Sequence, residues 1–291
     1  MKFKTFKGKD IVPGVVRLCT MNLYLHGIGG DENLIEEGDA LISDPGERFD
    51  LVLTNPPFGK KSSITIVNSE GKADREALIY ERSDFWATTS NKQLNFLQHV
   101  KTLLKINGRA AIVVPDNVLF EGGAGETVRR KLLAEFDVHT LLRLPTGLFY
   151  AQGVKTNVLF FTRGKTDQGN TKKVWIYDLR ANMPAFGKTR PLKGQDFSDF
   201  ESAYGNDPCA TTKRKDQGEE GRFRCFTREH IKGRGDNLDI SWLRDETGDA
   251  EEQLTEPDEI AAAIIGHLSN ALEEVEALTE ELEPQAAEEI A

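Results

Sequence analysis

The chain has 291 residues, with 37 Lys and Arg against 47 Asp and Glu and a net charge of −10, a balance ill-suited to gripping a phosphate backbone unaided. Its length allows one large α/β domain with appended elements, or two modest domains. No run approaches the roughly 18 to 20 apolar residues of a membrane helix, and the opening MKFKTFKGKDIV has no apolar signal core, so a cytoplasmic location is expected.

Phe3 to Ile11 reads as a strand, followed by a helix that Pro13 opens and Gly27 stops. Asn33 to Glu37 is a short extended piece leading into Gly38-Asp39-Ala40-Leu41. Phe49 to Thr54 is an apolar run read as a buried strand, ending at Asn55-Pro56-Pro57-Phe58 where proline forbids continuation. Lys60 to Ser90 is polar and reads as a long substrate-side loop. Asn91 starts a helix with Leu94, Leu97, Val100 and Leu104 on one face, closed by Asn107-Gly108.

Ala110 to Val114 is a buried strand, and the glycines at 122, 123 and 125 lead to a helix from Glu126 to Glu135. Strands Val138 to Leu144, Asn157 to Arg163 and Val174 to Tyr177 follow, and residues 181 to 257 give no regular pattern. A helix near Pro257 carries Ile265, Leu268, Leu272, Val275 and Leu282 on one seam, an apolar stripe that serves its own domain or a partner equally well. Strands alternating with helices imply a doubly wound α/β domain, mostly parallel with an antiparallel late strand. The expected division is residues 1–180, an irregular extension 181–257 and a C-terminal amphipathic helix 258–291. Cys19, Cys209 and Cys225 show no metal spacing, and no metal site is expected.

The densest chemistry sits at Asn55-Pro56-Pro57-Phe58. An amine whose lone pair is delocalised into a ring becomes a nucleophile when acceptors hold its hydrogens in a tetrahedral arrangement. The Asn55 carboxamide and the Pro56 carbonyl, its ψ restricted by Pro57, supply two such acceptors, and Phe58 offers a face on which a flipped base stacks. A rigid turn closing a strand is the bland alternative.

That motif, with Met21 to Ile28, Gly38 to Leu41, Phe49 to Gly59, Thr89 to Phe96, Gly108 to Asp116, Arg143 to Gly147 and Gly153 to Phe161, resembles the modification subunit of type I restriction-modification systems, N6-adenine DNA methyltransferases of Rossmann-like architecture. The resemblance implies that Asn55, Pro56, Pro57 and Phe58 are catalytic and that S-adenosylmethionine is the cofactor. It places Asp10 at the ribose and Asp39 with Ala40 near the adenine, with Asn55 also at the cofactor. For Asp10 a helix-start role, and for Asp39 a turn role, stays open.

The resemblance also implies a sheet whose first strand and glycine-rich turn are not found in this sequence, hence weak cofactor binding by the isolated chain and an activity open to question. Implied partners are DNA, a specificity subunit, a second modification subunit and a restriction subunit. The candidate DNA contacts are Lys60, Lys61 and Lys155, with Lys213-Arg214-Lys215 a further basic run. Competing readings are an inactive remnant that only binds a subunit, and methylation of a protein glutamine or an RNA base.

Overall fold

The computed structural model describes residues 5–29, 34–59, 63–67, 73–77, 79–149, 154–184, 186–187 and 190–244, with positions 264, 265, 268 and 272; at 63–67 and 73–77 the backbone alone is described. The chain divides into two compact units, Met1–Phe49 with Gly59–Leu104 and Asp50–Phe58 with Lys105–Ala291.

In the first unit, β1 (Gly8–Asp10) pairs in parallel with β2 (Ile35–Glu37), and α1 (Pro13–Leu25) is the crossover between them. Pro13 takes the first helical position, where the missing N–H would have had no partner, and the helix ends at His26 before Gly27 at φ 66°. Of the strand expected over Phe3–Ile11, Phe3 and Lys4 lie outside the described residues, Thr5–Lys7 are not strand, and β1 ends at Asp10, whose carboxylate already accepts the Val12 N–H in the turn into α1. The loop expected over 60–90 contains a hairpin instead, β4 (Ser63–Val67) antiparallel to β5 (Ala73–Ala77). Ser-Ile-Thr-Ile-Val is a β-branched run whose polar flanks hid it.

α2 (Lys92–Leu103) begins as expected: Asn91 Oδ1 accepts from Gln93 and Leu94 N–H, a cap worth ~1 kcal/mol. It stops four residues short of the expected close at Asn107-Gly108. Leu104 turns extended at ψ 136° and starts β6 (Leu104–Pro115), within which Asn107 adopts φ 63°, a conformation asparagine tolerates.

The second unit is built on a six-stranded sheet in the order β10-β9-β7-β8-β6-β3. Its members are β3 (Phe49–Thr54), β6, β7 (Phe136–Arg143), β8 (Thr156–Arg163), β9 (Lys173–Asp178) and β10 (Phe223–Thr227). β8 runs antiparallel to both β6 and β7, β7 runs parallel to β9, and β10 is antiparallel to β9. β6, β7 and β9 therefore share one direction, and β8 is the antiparallel late strand expected. A short helix α3 (Asn117–Phe120) precedes α4 (Ala124–Glu135), which buries Val128, Leu132 and Leu133 before the chain enters β7. Phe136 meets Phe161 edge to face at 5.4 Å. A further cluster joins Leu142, Trp175, Tyr177 and Phe223 to Phe200 of α5 (Ser198–Tyr204).

Two expectations change here. Residues 181–257 are not uniformly irregular: they supply α5, the edge strand β10 and α6 (Arg228–Gly233), and bury Phe223, Ile231, Leu238 and Ile240. These elements are short and set among charged residues, so no periodicity develops. β3 in turn is not a buried strand; it forms the other edge of the sheet, with Leu51 46% and Leu53 69% exposed.

The helix expected from Pro257 falls mainly outside the described residues, Val275 and Leu282 included. Ile264, Ile265, Leu268 and Leu272 are helical and exposed.

Candidate active site

β3 ends at Thr54 and delivers Asn55-Pro56-Pro57-Phe58 to the edge of the sheet. Pro56 is buried, Asn55 is exposed and Phe58 is half-buried. No hydrogen bond ties the Asn55 carboxamide to another described residue. Both its oxygen and its amide are therefore free to meet a ligand, on a backbone stiffened by two consecutive prolines.

Phe58 packs edge to face on Phe149, with ring centroids 5.0 Å apart and an interplanar angle of 81°. Phe149 lies beyond the carboxyl end of β7, so the loop after β3 and the loop after β7 meet at this pair. Gly147, two residues before Phe149, holds φ 82° beside the Phe186 backbone, where an added Cβ would run into the Phe186 carbonyl.

The second unit also carries a buried polar network. The Asp116 carboxylate, just past β6, accepts two hydrogen bonds from Arg180 at 2.9 and 3.0 Å and one from Asn157 Nδ2 at 2.7 Å. Burial opposes ionisation of Asp116, but Arg180 and Asn157 outweigh it and lower the pKa. Arg143 donates to the Ile240 carbonyl at 2.7 Å and lies 3.3 Å from the Asp239 carboxylate. The Asn157 Oδ1 and Thr156 Oγ1 atoms are buried without a hydrogen-bond partner among the described residues.

In the first unit, Asp10 uses one carboxylate oxygen to hold the Val12 N–H at 2.8 Å, and its own carbonyl accepts the Gly38 N–H at 2.9 Å. Asp39 accepts the Leu41 N–H at 2.8 Å and the Tyr80 hydroxyl at 2.7 Å, one on each oxygen. Leu41 is fully buried and Tyr80 is 8% exposed. The helix-start and turn roles weighed for these two acids are thus both present. Each carboxylate nevertheless retains acceptor capacity, since ionised it offers about four lone-pair sites.

Of the expected DNA contacts, Lys155 is exposed, and its carbonyl accepts the Asp116 N–H at 2.9 Å. Lys60 and Lys61 lie outside the described residues. Within Lys213-Arg214-Lys215, Arg214 is taken up internally, donating to Thr140 at 2.8 Å and lying over the Tyr204 ring.

Residues 1–252 match the N-6 DNA methylase family. The chain belongs to that family. It is 44% identical to the type I restriction enzyme StySPI methylase subunit of Salmonella potsdam, over 96% of this chain and 56% of that protein. It is 43% identical to the EcoKI methylase subunit of Escherichia coli K12, with the same coverage. The crystal structure of the EcoKI M protein superposes with a TM-score of 0.73 at 42% identity, covering 97% of this chain and 61% of that one. The chain thus spans just over half the length of these relatives.

In this member of the N-6 DNA methylase family, the sequence singled out the Asn-Pro-Pro-Phe loop but not Phe149, Asn157 or Arg180, which the structure brings near it or onto its supporting loop. Phe149 was detectable in principle as an aromatic residue in a glycine-bearing connection between two strands. Arg180 carried no local signal, because its partners lie 24 to 64 positions away in sequence.

Proposed function

We propose that this chain carries the nucleophile-polarising half of a DNA methyltransferase that modifies adenine at N6, working within a type I restriction-modification complex. The observation that carries the reading is the Asn55 carboxamide, without a hydrogen-bond partner among the described residues, on a double-proline turn beside the Phe58–Phe149 pair.

The Asn55 Oδ1 and the Pro56 carbonyl accept the two amino hydrogens of a flipped adenine and draw its lone pair out of conjugation. Phe58 stacks on the base, and Phe149 buttresses the Phe58 ring through their edge-to-face contact. No strong general base is required, since the amine gives up its proton to water after transfer. S-adenosylmethionine would supply the activated methyl group. Asp10 fits the ribose hydroxyls as an acceptor, and Asp39, with Ala40, Leu41 and Tyr80 nearby, fits the adenine edge.

An acidic chain of this kind leaves much of the phosphate grip to other subunits, with Lys60, Lys61 and Lys155 contributing locally. The proposed partners are DNA, a specificity subunit, a second modification subunit and a restriction subunit. The apolar stripe Ile265, Leu268 and Leu272 in residues 258–291 is the segment we assign to subunit docking, while residues 1–180 carry the methyltransferase elements and 181–257 extend them.

The experiment is methyl transfer from labelled S-adenosylmethionine by the chain assembled with a specificity subunit, followed by nucleoside digestion. Label in N6-methyladenine is expected. Label in RNA or in peptide glutamine would overturn the DNA reading, and no transfer alongside intact subunit binding would mark the chain as a docking module.

A further inference from the structure

Loops that shape a base-binding site have to be held at both stems, because an aromatic ring that wanders by an ångström no longer buttresses its partner. The segment bearing Phe149 leaves β7 at Leu144 and rejoins the sheet at Thr156. Its described stems, 144–149 and 154–156, converge on one side chain.

Arg180 Nε donates to the Leu144 carbonyl at 3.1 Å, and Arg180 Nη2 donates to the Thr156 carbonyl at 3.1 Å. The guanidinium is at the same time bidentate on Asp116, just beyond β6, with Arg180 and Asp116 side chains 12% and 18% exposed. Two backbone bonds complete the arrangement: Leu144 N–H to the Thr156 carbonyl at 3.0 Å, and Asp116 N–H to the Lys155 carbonyl at 2.9 Å. Asp178 accepts the Arg180 N–H at 2.8 Å and so anchors the clamp to the end of β9.

An ion pair kept for stability alone would be satisfied by the two bonds to Asp116. Two of the three remaining Arg180 N–H donors go to two carbonyls, and these belong to the opposite stems of one loop. The planar fork makes this possible; lysine, with a single nitrogen, could not span all three acceptors. We infer that Arg180 is a positioning residue for the reaction, clamping both stems of the Phe149 loop so that the Phe149 ring meets Phe58. This rests on the reading of Asn55–Phe58 as the methylation site.

The test is hydrogen exchange on the 291-residue chain, comparing Arg180→Lys and Arg180→Ala with wild type. Arg180→Lys keeps the positive charge beside Asp116 and guards against a variant that simply fails to fold. Peptides covering 144–149 and 154–157 are expected to exchange at least about 10-fold faster in both variants, while α4 and the centre of β7 keep their protection. In the assembled enzyme, Arg180→Lys is expected to lower kcat with the cofactor KM unchanged.

Unaltered exchange at the two stems in Arg180→Lys would overturn the clamp. So would a rise spread evenly over β7, β8 and β9, which reports a general packing loss. Absence of adenine methylation in the wild-type assembly would instead strike the reading of the Asn55 loop, and the exchange data would still decide the clamp.

Discussion

Phe58 and Phe149 meet edge to face, the centroids 5.0 Å apart and the planes at 81°, so the loop after β3 and the loop after β7 meet through one aromatic contact. Such a pair contributes ~1 kcal/mol beyond its buried area and fixes ring orientation more than it fixes stability. Phe149→Ala should therefore leave the fold intact and slow methyl transfer roughly 10-fold, by loosening Phe58 rather than removing it. Thermal denaturation and single-turnover methylation of the same preparation check both halves; a large drop in melting temperature would mean that Phe149 is chiefly a core residue.

Two buried histidines set the acid limit. Burial, reinforced by Arg82 for His99 and by Arg214 for His139, lowers both from 6.5 to about 4. Their folded-state values are depressed, so the stability they confer is complete above pH 6.5. It is lost as pH falls from 6.5 toward 4, by roughly 3 kcal/mol per histidine at the acid end. Urea midpoints should be level between pH 7 and 8 and fall steeply from pH 6.5 to 4.5. His139→Gln should flatten part of that slope, and an unchanged slope would contradict the assignment.

Arg129 is 2% exposed and donates to the Val118, Glu121 and Asp236 carbonyls, tying α4 to the end of α3 and to the turn after α6. Removing it strands three acceptors. Arg129→Ala should cost about 3 to 5 kcal/mol in unfolding free energy, measured by urea denaturation. A cost below about 1 kcal/mol would mean that water replaces the guanidinium without penalty.

Leu51 and Leu53 project from an edge strand onto an apolar recess of about 280 Å³ lined also by Ala111, His139, Phe160 and Tyr204. An open strand edge with exposed leucines invites association. The purified chain should bind an apolar dye and self-associate at high concentration, and Leu53→Lys should reduce both. Sedimentation that is the same for the two proteins would contradict this.

Much of the sheet was legible because its strands and helices keep clean periodicity: β7, β8 and β9 differ from expectation by two residues or fewer at either end. The Asn-Pro-Pro-Phe loop was legible for a different reason, since consecutive prolines and a polar carboxamide leave few conformations open. What escaped was long-range. Arg180 finds Asp116 across 64 residues, and β10 finds β9 across a polar stretch with no pattern of its own. Burial of β3 was misjudged because an apolar strand sequence does not say whether a neighbour lies beyond it.

In the proposed reaction the Asn55 carboxamide polarises the adenine amine. The most direct test is single-turnover methylation by Asn55→Ala and Asn55→Asp in the assembled enzyme, with cofactor and DNA affinities measured on the same samples. Asn55→Ala should lower the methylation rate by about 100-fold or more while DNA affinity holds within about 3-fold. Asn55→Asp, which keeps an acceptor, should fall between Asn55→Ala and wild type. A rate for Asn55→Ala within about 3-fold of wild type would contradict this polarising role.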